Sequence, residues 1–176
     1  KALVEAGRIT ALPTSPGNSP NHSEKDFVVC PKKIGSFQLR EQIGEGTFSV
    51  VKIAIDEATC KSYACKIVPK KRLATSQLES MFENEVRILQ KLHHPGISVL
   101  HDIYKDSVNY YLILELCPTG CLYDYIYSHR KIPEKDAKYI FKQIVRTLQY
   151  IHSQGVIHRD IKPENILIDS DNLVTK

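Results

Sequence analysis

Strand patterns and helix patterns occupy different parts of this 176-residue chain, and this separation restricts the possible folds more than any other feature. Short apolar or alternating runs bounded by turn residues predict strands at about 37–43, 50–56, 61–68, 98–104 and 109–115. One apolar stripe at helical spacing predicts a helix between the third and fourth strands: Leu78, Phe82, Val86, Leu89 and Leu92. The pattern after Gly120 is helical, and strands followed by helices are typical of an α+β fold.

The clearest helical pattern begins at Pro133, because proline suits a first helical turn. Glu134 and Asp136 suit the positive end of the helix dipole, and Gly155 is a natural stop. Apolar residues repeating at intervals of four and three predict a single buried stripe of Ala137, Phe141, Ile144, Leu148 and Ile151. A shorter helix is predicted after Gly120, through about Ser128.

Composition excludes several classes of protein. The chain is 42% hydrophobic and 25% charged, which is typical of a globular domain rather than a fibrous or disordered one. The net charge of +4 favours an anionic ligand without requiring nucleic acid. No apolar run is long enough to cross a bilayer. The cysteines lack the spacing of metal sites, so we interpret them as small apolar residues in a reducing compartment: the cytoplasm, with the nucleus as a second location.

A glycine-containing segment, Ile43–Val51, lies between two predicted strands and reads Ile-Gly-Glu-Gly-Thr-Phe-Ser-Val-Val. Glycines allow the backbone to approach phosphate oxygens and to present N–H groups to them. Taken alone, the pattern fits a simple β-turn at least as well. A dinucleotide-binding loop would require a helix directly after the glycines, whereas Val50–Ile55 has a strand pattern.

Lys66 is flanked by apolar residues on a predicted strand, where a buried ammonium needs a partner. Glu85 lies beside the apolar stripe of the first predicted helix, so an ion pair with Lys66 is feasible. Glu79 and Glu83 are alternative partners on the same helix. An edge-strand lysine with its ammonium in water is the simpler interpretation.

The segment Val156–Ile168 places charged and polar residues between two apolar runs, directly after the long helix. A solvated loop seldom carries histidine, arginine, aspartate, lysine and asparagine between such runs. The segment therefore indicates a site of chemistry.

With these three motifs the chain resembles the eukaryotic protein kinases, from about residue 37 to Lys176. Gly-x-Gly-x-x-Ser-x-Val, Tyr-Ala-Cys-Lys and His-Arg-Asp-x-x-x-x-Asn follow one another in that family's order. Lys-Pro-Glu-Asn at 162–165 is similar to the serine/threonine branch, and the whole region most resembles the calcium/calmodulin-dependent and AMP-activated-like group. Calcium or calmodulin dependence does not follow from this resemblance.

The resemblance implies an α+β, two-lobed fold. Residues 1–36 would be a flexible segment. Residues 37–116 would form an antiparallel five-stranded N-lobe with one major helix and the hinge. Residues 117–176 would form an incomplete, mainly helical C-lobe.

The resemblance also implies roles in ATP-dependent transfer of a phosphoryl group to serine or threonine hydroxyls of a protein substrate. Lys66 would hold the ATP phosphates and pair with Glu85, and Asp160 would accept the proton of the hydroxyl. Lys162 would neutralise the moving phosphoryl group, and Asn165 would hold Mg²⁺. The remaining ATP-binding residues would be Ile43, Gly44, Glu45, Gly46, Thr47, Phe48, Ser49, Val50, Val51, Ala64, Glu115, Cys117 and Leu167. His158 would be structural.

Some features depart from the family pattern. Ser49 stands at the third glycine position and predicts a stiffer loop, and Cys121 stands where many relatives carry a glutamate. Asp-Phe-Gly is not present, so we expect the chain to be a piece that ends before it and to transfer little phosphate by itself. A pseudokinase or regulatory scaffold is the alternative, and a small-molecule phosphotransferase is a second. The sequence leaves the oligomeric state open.

Overall fold

The structure is a computed structural model, which describes residues 30–46, 48–169 and 173–176. Most of the predicted flexible segment, the loop position Thr47 and residues 170–172 lie outside the described residues. The chain divides into two compact units. A sheet unit contains described residues up to Arg72 together with His101–Leu116, and a helical unit contains Leu73–Leu100 and Cys117–Lys176.

The sheet unit is built on a six-stranded sheet with strand order β1-β2-β3-β4-β6-β5. Its strands are β1 (Lys33–Ile34), β2 (Phe37–Glu45), β3 (Val50–Asp56), β4 (Ser62–Pro69), β5 (Leu100–Lys105) and β6 (Asn109–Glu115). The predicted strands are confirmed to within two residues at each end. The count is six instead of five because β1 pairs antiparallel with the start of β2.

The turn that joins β1 to β2 depends on Gly35. Its φ is +55°, and a Cβ built on it would lie 2.6 Å from the ring of Tyr104. Any other residue would meet both the backbone strain and the ring. This short strand lies in the range that the sequence assigned to the flexible segment.

The two faces of the sheet differ in what they carry. One face packs into an apolar core that contains Phe37, Ala54, Cys65, Ile67, Tyr111 and Ile113. Side chains alternate between faces along a strand, so Ala64 and Lys66 lie on the opposite face from Cys65 and Ile67. Val51 pairs with Lys66 across the β3–β4 ladder and shares that second face.

The helical unit contains α1 (Ser76–Lys91), α2 (Leu122–His129) and α3 (Glu134–Ser153). Thr75 caps α1, since its hydroxyl accepts a hydrogen bond from the Leu78 N–H at 3.2 Å. All three helices were predicted, with ends that differ by about two residues. Within the part of the chain that the structure describes, none of them combines the length and the apolar character that a membrane span needs.

One prediction for α3 is wrong. Phe141 was assigned to the buried stripe, but its side chain is 66% exposed and Ile140 is buried instead. The core of this unit contains Leu122, Ile140, Ile166, Ile168 and Leu173. The buried stripe therefore passes through Ile140, and Phe141 lies one residue, or about 100°, around the helix.

The connection after α1 packs closely on α3. The backbone N–H of His93 donates to the Tyr150 hydroxyl at 2.9 Å, and the His94 ring stacks on the Tyr150 ring with centroids 5.0 Å apart. Gly96 is in contact with Thr147, because a Cβ on Gly96 would lie 2.0 Å from the Thr147 hydroxyl. These contacts fix the C-terminal end of α1 against α3.

Candidate active site

The loop from His158 to Asn165 reverses direction at Arg159, whose φ of 68° lies in the left-handed region. This conformation is uncommon for a residue with a side chain and is often found at functional sites. It turns the next backbone N–H, that of Asp160, toward the His158 ring, where Nδ1 accepts it at 3.3 Å. The reversal therefore holds Asp160 against His158.

His158 is a neutral, structural residue in this arrangement. Burial lowers its pKa below the ordinary value, against the opposing effect of the nearby Asp160 charge. Its Nδ1 accepts a hydrogen bond, so the ring proton is on Nε2. The site thus contains a histidine that supports the loop, as the resemblance implied.

Asp160 is held from two sides through one oxygen. Its Oδ2 accepts from the Asn165 amide at 2.9 Å and pairs with the Lys162 ammonium at 3.0 Å. The hydrogen bond from Lys162 lowers the pKa of Asp160 most, and the bond from Asn165 adds to this effect, while burial opposes it. The carboxylate is therefore ionised at neutral pH. Its Oδ1 makes no hydrogen bond to the described residues and is available to a substrate.

Asn165 is placed by a short 3-10 turn, Pro163–Asn165, whose proline suits the first turn position. Its Nδ2 donates to Asp160 twice, to the backbone oxygen at 2.8 Å and to the carboxylate at 2.9 Å. Its Oδ1 is buried and has no hydrogen-bond partner among the described residues. An amide oxygen in this condition fits a divalent cation such as Mg²⁺, which takes oxygen ligands.

The loop is followed by a three-stranded ribbon, in which Leu167 and Ile168 lie between Gly120–Cys121 on one side and Thr175–Lys176 on the other. Ile168 N–H donates to the Gly120 oxygen at 2.8 Å, and Leu167 exchanges two 3.0 Å hydrogen bonds with Lys176. The outer edge of this ribbon is covered by Gln143 of α3. Its amide donates to the Leu173 oxygen at 2.9 Å and accepts from the Thr175 N–H at 3.2 Å.

Gln143 was missed by the sequence analysis. Its side chain makes the hydrogen bonds to Leu173 and Thr175 that the backbone of a further strand would make. It thereby holds the segment that pairs with Leu167, and Leu167 lies two residues past Asn165. A polar residue on the apolar side of α3 was the signal available in the sequence. The pattern alone did not indicate which backbone groups it would bind.

The glycine segment forms the tip of the β2–β3 hairpin in the sheet unit. Gly44 pairs with Val51, which in turn pairs with Lys66 of β4. Phe48 is exposed, whereas Val50 is buried and pairs with Ile67. The side chain of Val50 therefore belongs to the core, and only its backbone groups are available to a nucleotide.

The other predicted nucleotide residues lie on regular elements. Ile43 and Glu45 are exposed residues of β2. Ala64 pairs with Ile53 and Leu114 in the sheet, and Glu115 ends β6. In the helical unit the Cys117 oxygen accepts from the Gly120 N–H at 3.3 Å, and Leu167 belongs to the ribbon. Their contacts with adenine stay predictions.

The three glutamates proposed as partners of Lys66 differ in exposure. Glu79 and Glu83 are exposed on α1, whereas Glu85 is half-buried. Lys66 is itself half-buried at the centre of β4, between Val51 and Leu112. The pairing of Lys66 with Glu85, or with either alternative, stays a prediction.

Comparisons with known proteins identify the family of this chain. The family model for the protein kinase domain matches residues 37–176. Serine/threonine-protein kinase cds1 of Schizosaccharomyces pombe is 36% identical over 172 residues, which is 96% of this chain and 37% of that protein. A protein of Dictyostelium discoideum named as a probable myosin light chain kinase is 38% identical over 142 residues, 81% of this chain and 44% of its own length.

A solved structure is also similar. The crystal structure of Rad53 1-466 in complex with AMP-PNP matches with a TM-score of 0.77 and 37% sequence identity, over 80% of this chain and 38% of that one. The chain thus spans less than half the length of each of these relatives. The matched range begins at the predicted start of the resemblance, and the predicted family and group agree with these relatives. The chain belongs to the protein kinase domain family.

Proposed function

We propose that the protein transfers the γ-phosphoryl group of ATP to serine or threonine hydroxyls of protein substrates. The observation that carries this proposal is the Asp160 carboxylate. It is ionised, it is fixed through Oδ2 by Asn165 and Lys162, and it leaves Oδ1 without a partner among the described residues. A carboxylate in this state orients a substrate hydroxyl and receives its proton.

The chemistry requires positioning more than covalent catalysis. The hydroxyl proton would pass to Asp160 Oδ1 as the hydroxyl oxygen bonds to the γ-phosphorus and the bond to the ADP oxygen breaks. Lys162 Nζ, 3.0 Å from Asp160 Oδ2, places a positive charge beside the reacting hydroxyl. That charge would stabilise the negative charge on the phosphoryl oxygens.

Asn165 would hold Mg²⁺ through Oδ1, the buried oxygen that has no partner among the described residues. When bound, the ion would neutralise phosphate charge. The two bonds that Asn165 makes to Asp160 fix the orientation of its amide, so Oδ1 points away from Asp160. A glutamine at this position would displace that oxygen by one bond length.

The sheet unit would bind the nucleotide. Lys66 lies on the same face as Val51 and Ala64, beside the backbone of the glycine hairpin. A cation next to side-chain-free backbone suits phosphate groups. The similar Rad53 structure, which contains AMP-PNP, supports ATP as the nucleotide.

The test is phosphate transfer from radiolabelled ATP to a serine/threonine peptide library by the full-length protein that carries this chain. We expect the Asp160→Asn variant to lose about 10²–10⁴-fold in rate, which is the usual contribution of a general base. Asp136→Asn is the matched control, since Asp136 lies in the first turn of α3 and should leave the rate unchanged.

Two results would contradict the proposal. Failure of the wild-type protein to bind ATP would exclude a kinase. Binding of ATP with no transfer that depends on Asp160 would favour the regulatory scaffold.

A further inference from the structure

A row of cations lies on the exposed side of α3. Lys135, Lys142 and Arg146 are all exposed, and Tyr139 between them is 49% exposed. The four residues follow one another at intervals of four, three and four. At about 100° per residue they fall within an arc of about 60° around the helix, well away from the buried side at Ile140. They therefore form one straight line, which we call the basic row.

The charges of the basic row have no acidic counterpart among the described residues. None of its three cations forms an ion pair with any of them. The acids of α3 are confined to the first turn, at Glu134 and Asp136, and Glu134 pairs with Lys138 at 2.7 Å. Lys142 and Arg146 are four residues apart, a spacing at which like charges destabilise a helix. The row therefore opposes helix formation, and an anionic partner would remove that opposition.

The positive charge belongs to this row rather than to the whole molecule. The sequence contains 24 basic and 20 acidic residues, a near balance that does not suit general binding to nucleic acid. The steps of the row along the helix axis are about 4.5 Å and 6 Å. The phosphates of one strand in a duplex recur about every 3.4 Å along its axis. A nucleic-acid strand therefore matches the basic row poorly.

A second α-helix matches the row in pitch. Carboxylates spaced at four, three and four residues along such a helix take the same steps, so each cation can meet one carboxylate. Long charged side chains pair across the contact between two helices in this way in coiled coils. Tyr139 lies between Lys135 and Lys142, and its exposed ring offers a surface to one apolar residue of the partner. The row thus combines three cations with one aromatic anchor.

We propose that the basic row docks an acidic α-helical segment of a protein partner, whose carboxylates recur at intervals of four, three and four. The inference goes beyond the proposed function and does not depend on it, because no residue of the row belongs to the candidate active site. The contact brings an acidic protein to the helical unit and leaves the nucleotide and hydroxyl sites unoccupied.

The experiment measures fluorescence anisotropy of a labelled peptide titrated with the full-length protein that carries this chain. The probe is an alanine-based helix of about twenty residues, stapled on one face, with glutamates at the matching intervals on the other. Lys142→Glu/Arg146→Glu should weaken its binding at least about tenfold, because two attractive pairs become repulsive. Lys32→Glu/Lys105→Glu makes the same change in net charge at exposed lysines of the sheet unit, and it should stay within about twofold of wild type.

A second peptide with the same composition, but with its glutamates spread around the helix, tests the spacing. Equal binding of the two peptides would overturn the inference, as would equal weakening by the two double variants or no binding of the matched peptide. Tighter binding of a DNA duplex than of the matched peptide would also overturn it and assign the row to nucleic acid.

Folding and catalysis are checked separately. Phosphate transfer to a peptide substrate should be the same in wild type and both double variants, so a failure of docking is distinguishable from a failure of the proposed function. If Lys142→Glu/Arg146→Glu lowers the melting temperature, Lys142→Gln/Arg146→Gln replaces it, with an expected loss of about threefold in peptide affinity. Unchanged affinity in that neutral variant would overturn the inference.

Discussion

Replacing Gln143 with methionine should destabilise the helical unit through the backbone of its C-terminal strand. Gln143 makes hydrogen bonds of 2.9 Å and 3.2 Å to the Leu173 oxygen and the Thr175 N–H. Leu173 is 8% exposed and Thr175 is 3% exposed, so water does not easily replace the lost partner. Methionine has a similar length and volume, so the change removes the hydrogen bonds without leaving a large cavity.

The expected cost follows from these two orphaned groups. A buried donor or acceptor without a partner costs about 1–3 kcal/mol, so the pair should cost about 2–6 kcal/mol. For a protein of this size that corresponds to a fall in Tm of about 4–24 °C. Gln149→Met is the matched control on the same helix, because Gln149 is exposed, and we expect no measurable change.

The Gln143→Glu variant gives the same contact a pH dependence. Its carboxylate still accepts from Thr175 but faces the Leu173 oxygen with no proton to donate. The protonated carboxyl restores that donor, so folding raises its pKa above the unfolded value of about 4.3. The hydrogen bond from the protonated carboxyl therefore stabilises the variant below about pH 4.3. The variant loses this stabilisation, relative to wild type, as pH rises through the folded pKa.

Urea denaturation of the full-length protein at pH 4 and pH 7 measures both effects. Unfolding of Gln143→Met at the wild-type midpoint would show that the two hydrogen bonds contribute nothing to stability. An equal loss of stability for Gln143→Glu at the two pH values would exclude the titration of residue 143.

Three further predictions follow from single contacts. Gly96→Ala should lower Tm by several degrees, because its Cβ meets the Thr147 hydroxyl, and Thr147→Ala should recover part of the loss. Lys162→Met should raise the pKa of Asp160, whose depression comes first from the Lys162 hydrogen bond. In the wild type the lowered pKa of Asp160 contributes stability above the unfolded pKa, and this contribution is lost as pH falls through the folded pKa. Lys162→Met should therefore be less stable than the wild type at neutral pH. Carboxyl NMR titration measures the pKa of Asp160 in both proteins. Thr75→Ala should cost about 1 kcal/mol of unfolding free energy in urea, as loss of an N-cap does.

The regular elements could be predicted from the sequence because their periodicity extends over several residues. The strand Val50–Asp56 and the helix Ser76–Lys91 both carry such signals. A strand of two residues, Lys33–Ile34, is too short to carry one. Phe141 was misplaced because neighbouring apolar residues on α3 form two competing stripes, and only the tertiary core selects Ile140.

The residues of the candidate site divide in the same way. Asp160 and Asn165 were predicted as site residues because their motif is contiguous, and the structure brings them within hydrogen-bond distance. Gln143 depends on a pairing that the sequence does not encode locally, because it requires the register of Leu173–Thr175 against α3.

In the proposed reaction Asp160 Oδ1 takes the proton of a substrate hydroxyl during phosphoryl transfer. The most direct measurement is the single-turnover rate of phosphoserine or phosphothreonine formation by the full-length protein and by Asp160→Asn, each saturated with ATP. We expect a fall of about 10²–10⁴-fold in that rate, with nucleotide affinity unchanged. An Asp160→Asn protein that retains the wild-type rate would exclude Asp160 as the proton acceptor.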